Sequence, residues 1–144
     1  MNKVLPSKWI RKAIYAAVNN IVVSGKTIEC FDSRVSGNNI PDHYILMSSQ
    51  ANDVIKANKC EDSWDSSILI DVFTSYTGTN GGGSRDLAES IIDKVRDVTK
   101  ALVLDASSNL VIVWQKQSFP NDMVSITDNQ SVYRKLMRID FYVN

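Results

Sequence analysis

A glycine-rich loop between a strand-forming and a helix-forming segment is the feature of this sequence best suited to chemistry. The loop lies within residues 64–100 and contains Gly78, Gly81, Gly82 and Gly83. Such loops bind phosphates through backbone N–H groups, and a following helix N-terminus attracts anions. A Walker-type loop places lysine and then a hydroxyl residue after its last glycine, whereas Ser84 and Arg85 stand here in the reverse order.

The loop also departs from a dinucleotide-binding fingerprint. Asp86 stands where the final glycine of that motif belongs, and its carboxylate would repel a pyrophosphate. Two interpretations of residues 77–84 stay open. One is a small nucleotide- or phosphate-binding enzyme with Arg85 as the anion contact. The other is a surface loop, because successive glycines leave the backbone many conformations.

The remaining reactive side chains do not form a catalytic set. His43 is the single histidine, and the sequence places no nucleophile beside it. Asp65 and Asp71 are six residues apart on one predicted strand, too far to share a proton or a metal. Glu61 and Asp62 lie in a polar loop, where a solvated pair is the simpler interpretation. We predict no catalytic residues and no enzyme.

Cys30 and Cys60 are the two cysteines of the chain. Together with one histidine they cannot complete a typical zinc site. Two free thiols in a reducing compartment are the simplest interpretation, with a disulfide as the alternative. We therefore predict no metal and no cofactor.

Length and composition favour one domain over residues 1–144. The chain has 44% hydrophobic residues, enough for a real core. Lysine plus arginine and aspartate plus glutamate both number 16, so the net charge is zero. This balance argues against a strongly basic nucleic-acid surface and favours self-association. The N-terminus lacks a long apolar signal, and no apolar run approaches the ~20 residues of a membrane span.

Apolar periodicity predicts two helices and five strands. The helices are Lys8 to Asn20, capped by Ser7, and a second one capped by Ser84 or Asp86 that ends near Lys100. The strands are predicted at residues 27–32, 44–49, 64–76, 110–116 and 132–143.

Two of these strands have informative patterns. In the third, Ile68, Ile70 and Val72 share a face that must be buried, while Asp71 lies on the other, less buried face, where it can bond a backbone donor or a basic side chain. Residues 110–116 are apolar on both faces, which predicts a strand inside the sheet. We predict an α+β fold: a mainly antiparallel sheet of about five strands with two helices on one face, in the order α-β-β-β-α-β-β.

Residues 117–131 form a long polar connection that predicts an extended arm. The segment carries Phe119, Pro120, Met123 and Val124. Connections of this length in small domains are usually either functional or disordered. Together with Gly81, Gly82, Gly83 and Arg85 of the glycine-rich loop, these side chains are our predicted subunit interface.

The chain resembles the tail terminator or tail completion proteins of tailed bacteriophages. The resemblance rests on diffuse patterns over most of the chain. They are Ala-Ile-Tyr-Ala-Ala in the first helix, Ile40-Pro41 leading to Tyr44-Ile45-Leu46, Ile68-Leu69-Ile70-Asp71-Val72-Phe73, and Ala88-Glu89-Ser90-Ile91-Ile92 within Arg85 to Val98. The loop at residues 77–84 is longer and richer in glycine than the family pattern, and residues 117–131 are extended.

The resemblance implies a structural virion protein without catalytic turnover. It implies several copies in a ring at the head-to-tail junction, around the path of double-stranded DNA. Neighbouring neck, portal-adaptor or tail proteins would be its partners, and the ring would be assembled in the bacterial host cytoplasm. Physics permits this arrangement, because repeated heterologous contacts close into a ring when the rotation between copies fits.

Overall fold

The computed structural model describes residues 4–34, 41–55, 63–77, 83–126 and 130–144. Two α-helices and seven strands occur in the described part of the chain. In chain order they are α1 (Ser7–Val18), β1 (Ile21–Val23), β2 (Lys26–Asp32), β3 (His43–Ile55), β4 (Ser63–Thr77), α2 (Gly83–Thr99), β5 (Ile112–Ser118), β6 (Met123–Ile126) and β7 (Gln130–Val143). A short 3-10 helix, Ala106–Ser108, precedes β5.

The strands form one mixed sheet in the order β1-β2-β3-β4-β7-β5, and β6 pairs with β7 off this path. Strands β2 and β3 are parallel, and the other pairs are antiparallel. The longest pairing joins β4 to β7, from Trp64 opposite Val143 to Thr77 opposite Gln130. These two strands are the centre of the domain.

The predicted mainly antiparallel sheet of about five strands, and its element order, are wrong. The sheet has seven strands and is mixed, because β2 runs parallel to β3. The two strands that the prediction omitted, β1 and β6, are three and four residues long. Segments this short contain too few residues for a period of two to be recognised.

The hydrophobic core lies on one side of the sheet, between the sheet and the helices. We call this side the helix face and the opposite side the open face. The predicted burial of Ile68, Ile70 and Val72 is confirmed. Their core neighbours include Ile10 and Ile14 of α1, Ile91 and Val95 of α2, and Met137, Ile139 and Phe141 of β7. At about 2 kcal/mol per buried aliphatic side chain, this packing outweighs the surface ion pairs.

Helix α1 begins differently from its prediction. Pro6 is the N-cap residue, and its carbonyl accepts a hydrogen bond from the Ile10 N–H at 2.9 Å. Ser7 makes no capping bond; its hydroxyl accepts a hydrogen bond from the Asn52 side chain. Proline suits a helix start because its φ is already near the helical value. Ser7 therefore fastens α1 to β3.

Arg11 of α1 supports an irregularity in β3, where the pairing with β4 shifts between Met47 and Gln50. Its guanidinium donates to the Ser48 carbonyl at 2.8 Å and to Gln50 Oε1 at 2.6 Å, and it also contacts the Asp32 carboxylate. Bulges leave backbone groups outside the ladder. Arg11 supplies a donor to one of them.

Candidate interaction surface

Strands β5 and β6 both lie along the same edge of β7. Strand β6 pairs with Ser131 to Arg134 of β7, and β5 pairs with Arg138 to Val143. Among the described residues, no strand pairs with the far sides of β5 and β6. We call the segment of residues 111–126, which contains both strands, the outer edge. An unpaired strand edge is a template for association with another chain.

The outer edge is rich in exposed apolar side chains. Seven of the twelve exposed large hydrophobic side chains in the described segments lie on it, with exposures from 46% for Phe119 to 67% for Ile126. They are Val111, Val113, Trp114, Phe119, Met123, Val124 and Ile126. Single exposed apolar residues are ordinary, whereas a contiguous group marks an interaction surface.

The prediction that residues 110–116 form an interior strand is wrong. Strand β5 pairs with β7 alone within the described sheet, and Val111, Val113 and Trp114 are at least half exposed. The pairing shifts between Ile112 and Trp114, so Val113 lies at a bulge. A strand that is apolar on both faces suits burial on both faces. Here that burial would come from outside the chain.

Strand β5 is fixed to the C-terminus of α2 by two glutamines. The Gln115 amide donates to the Thr99 carbonyl at 2.8 Å and also to the Lys100 carbonyl. The Gln117 amide donates to Thr99 Oγ1 at 3.2 Å. The last carbonyls of a helix have no partner within it, so these amides satisfy groups that would otherwise be unpaired. Strand β5 of the outer edge is therefore fastened to the C-terminus of α2.

The predicted interface residues fall into two groups. Gly81 and Gly82 lie outside the described residues, and Gly83 is the first residue of α2. Phe119, Pro120, Met123 and Val124 are exposed on the outer edge. Arg85 is exposed in the first turn of α2.

The structure brings Arg85 and Val124 together. They line a cavity of about 250 Å³ between α2 and β6, together with Ala88, Glu89, Asp122, Tyr133, Arg134 and Lys135. Lys135 lies 3.2 Å from the Asp122 carboxylate and 3.7 Å from that of Glu89. The two predicted segments are thus neighbours, although they are far apart in the sequence.

Arg85 has an acidic neighbour. Its guanidinium lies 3.8 Å from the Glu89 carboxylate, and Asp86 adds a second negative charge to the first turn of α2. Both carboxylates oppose a phosphate at this helix end. The glycines that would wrap such a phosphate, Gly78, Gly81 and Gly82, lie outside the described residues.

Sequence reasoning missed a groove on the open face. One row of side chains crosses four strands, from Asp53 to Asp65 to Tyr142 to Trp114, each opposite the next. The adjacent row runs through Ala51, Ser67, Asp140 and Lys116. The rings of Trp114 and Tyr142 are parallel within 4°, with centroids 6.3 Å apart. We call these two rows the acidic-aromatic groove, and all of their residues except Tyr142 line a cavity of about 370 Å³.

The groove carries an unbalanced negative charge. Asp53 and Asp65 are directly opposite one another and exposed, and no described side chain forms an ion pair with either. Like charges at opposed positions destabilise a sheet. The groove could not be predicted from the sequence because it depends on the strand register. Only the pairing of the strands reveals that residues 53, 65 and 142 are neighbours.

Elsewhere on the open face, Asp71 has a basic side chain as its partner, the second of the two alternatives that the sequence left open. Its carboxylate accepts a hydrogen bond from Arg134 at 2.8 Å, and only 5% of the Asp71 side chain is exposed. Beside this pair, the rings of Tyr44 and Phe73 stack with centroids 4.8 Å apart. Burial raises the pKa of Tyr44, Arg134 opposes this shift and Asp71 adds to it.

The described residues contain no group of three or more acidic, cysteine or histidine side chains placed to hold a metal ion. Burial, aided by Asp32, raises the pKa of the Cys30 thiol to about 12, so this thiol stays protonated. Cys60, Glu61 and Asp62 lie outside the described residues. In the same part of the chain, no helix is long and apolar enough to cross a membrane.

The fold is shared with a chain of a solved structure titled "Virion of native gene transfer agent (GTA) particle". The TM-score is 0.61 at 13% sequence identity, and the match covers 97% of this chain and 99% of the other. At this identity the likeness shows a common fold. No protein-family profile and no curated protein sequence matches the chain.

Proposed function

We propose that this protein is a structural subunit of a virion that forms a ring at the head-to-tail junction of a tailed bacteriophage. The observation that carries the proposal is the fold shared with a virion chain over nearly the full length of both. The sequence resemblance to tail terminator and tail completion proteins supports the same class.

The outer edge supports self-association in that ring. Its apolar side chains are exposed in the single subunit, and strand edges pair readily with other chains. One domain of 144 residues cannot surround a DNA duplex. Several copies joined by repeated heterologous contacts can form a ring that surrounds it. Double-stranded DNA would pass through the lumen of this ring without sequence-specific binding. Neck, portal-adaptor or tail proteins would contact the two rims of the ring.

Purified particles test the location. Mass spectrometry should detect the chain in virions, and gold-labelled antibodies should mark it at the head-to-tail junction. Absence from purified particles would overturn the proposal. So would turnover of a nucleotide that is lost in Arg85→Ala, because that result would favour the phosphate-binding alternative.

Assembly of the isolated chain tests the ring. Mass measurement in solution followed by electron microscopy should reveal closed rings, alone or on a partner protein. Deleting Gly81 to Gly83 should impair assembly and leave the fold intact. Within residues 117–131, point substitutions are the sharper test, since β6 lies in this segment and pairs with β7.

A further inference from the structure

The acidic-aromatic groove has a complementary surface on α1 of the same chain. Lys8, Lys12 and Tyr15 are exposed and recur at spacings of four and three residues, so they form one stripe on the outer side of the helix. We call these three residues the α1 stripe. The stripe offers two ammonium groups and one aromatic side chain, and the groove offers carboxylates and two aromatic rings.

The charges of the α1 stripe are available for a partner. Lys8 and Lys12 are exposed, and their ammonium groups lie 5.1 and 5.6 Å from the Trp9 ring centroid. Lys12 also lies 3.5 Å from the exposed carboxylate of Asp105. An exposed pair of this kind contributes little and exchanges easily for another partner.

The two surfaces also agree in the order and spacing of their groups. The α1 stripe covers seven residue steps, or about 10 Å along the helix axis, with the two lysines followed by Tyr15. The row from Asp53 through Asp65 to Tyr142 covers two spacings between strands, or about 10 Å, with the two carboxylates followed by the aromatic ring. Lys8 and Lys12 are about 6 Å apart along the axis, and opposed residues such as Asp53 and Asp65 are about 5 Å apart.

The surfaces lie on opposite faces of the sheet at the same end of the domain. The first turn of α1 is fixed to β3 through Ser7, which bonds the side chains of Gln50 and Asn52 on the helix face. Asp53 belongs to the same strand but to the open face. A single subunit can therefore present its groove to one neighbour and its α1 stripe to another.

From this complementarity we infer that the acidic-aromatic groove of one subunit receives the α1 stripe of the next. Lys8 and Lys12 pair with Asp53 and Asp65, and Tyr15 packs against Tyr142 with Trp114 beyond it. The contact is heterologous, which is the type that generates rings. This inference rests on the proposed ring and names the surfaces that close it.

A reciprocal charge exchange tests the contact. In Lys8→Glu with Lys12→Glu both surfaces become acidic, and in Asp53→Lys with Asp65→Lys both become basic. Each double variant alone should associate at least about tenfold more weakly than the wild type, measured by sedimentation equilibrium at low salt. An equal mixture of the two variants should recover association, because each stripe then meets a groove of opposite charge.

Matched controls are available on the outer side of α2. Lys94→Glu with Lys100→Glu, and Asp93→Lys with Asp97→Lys, change the same charges at exposed positions outside both surfaces. These controls should associate like the wild type. Unchanged association of the two test variants, no recovery on mixing, or a wild-type chain that stays monomeric would overturn the contact. Detection of the chain in purified particles would still support the virion role in that case.

Discussion

His43 lies in an environment that disfavours its charged form. Its Nε2 is 3.5 Å from the Lys26 ammonium, and its ring centroid is 5.2 Å from that of Tyr76. Burial lowers the pKa of His43 below 6.5, Lys26 lowers it further, and Asp42 acts in the opposite direction. Folding therefore favours the neutral imidazole.

This lowered pKa predicts a loss of stability in mild acid. Below about pH 6.5 the unfolded chain binds a proton at His43 that the folded chain does not. The free energy of unfolding therefore decreases as the pH is lowered. The fall ends once the pH drops below the lowered pKa. Denaturant unfolding at about pH 7.5 and about pH 5.5 should show a larger loss for the wild type than for His43→Gln.

The single histidine allows a direct check. Its imidazole C2–H resonance should titrate below pH 6.5 in the native protein, and Lys26→Met should move the midpoint upward. Equal pH dependence of stability in the wild type and His43→Gln would contradict the prediction. Carboxylates cannot account for the difference, because both proteins contain the same ones and their contribution cancels in the comparison.

Among the contacts between elements, the contact of β5 with the C-terminus of α2 can be tested most directly by mutation. Gln115→Leu keeps the approximate size of the side chain but removes the amide that caps Thr99 and Lys100. The free energy of unfolding should fall by about 1–2 kcal/mol. Amide hydrogen exchange near the C-terminus of α2 should accelerate. Lys116→Ala, an exposed change on the same strand, should shift stability by less than about 0.5 kcal/mol; an equal effect of the two variants would exclude the capping role.

Element positions were predictable where the apolar pattern is long. Helix α1 was predicted at Lys8 to Asn20 and occurs at Ser7–Val18, and the predicted strand at residues 64–76 is β4. Strand β3 was predicted to end at Ser49 but runs to Ile55, past the shift that Arg11 supports. That continuation is polar and depends on contacts with α1 and β4, which periodicity does not contain.

The surface was less predictable than the core. Exposed Val113 and Trp114 have the same pattern in sequence as buried strand residues, so the pattern could not separate an interior strand from an exposed edge strand. The Asp53–Asp65 opposition depends on register. The interface role of Val124 and Arg85, inferred from loop length and lack of chemistry, stays a prediction; the fold places the two residues beside one cavity.

For the whole molecule, charge and shape favour association of many copies. The net charge is zero, so long-range repulsion between subunits is weak. The apolar outer edge lies at one end of the sheet, whereas β1 at the other end is three residues long. The outer edge, the acidic-aromatic groove and the α1 stripe are all exposed in the single subunit. Such a domain is suited to the proposed ring, in which contacts between copies would remove these surfaces from water.

Lysines on the outer edge should therefore block assembly without unfolding the subunit. In Val113→Lys with Val124→Lys, charged side chains replace two that are already 55% and 51% exposed. Natural strand edges avoid association in the same way. Thermal unfolding should change little, and sedimentation velocity should show loss of the oligomer. Val22→Lys with Val103→Lys makes the same change at positions 60% and 84% exposed off the edge, and this control should still assemble. If both double variants assembled equally well, the outer edge would not be a subunit contact.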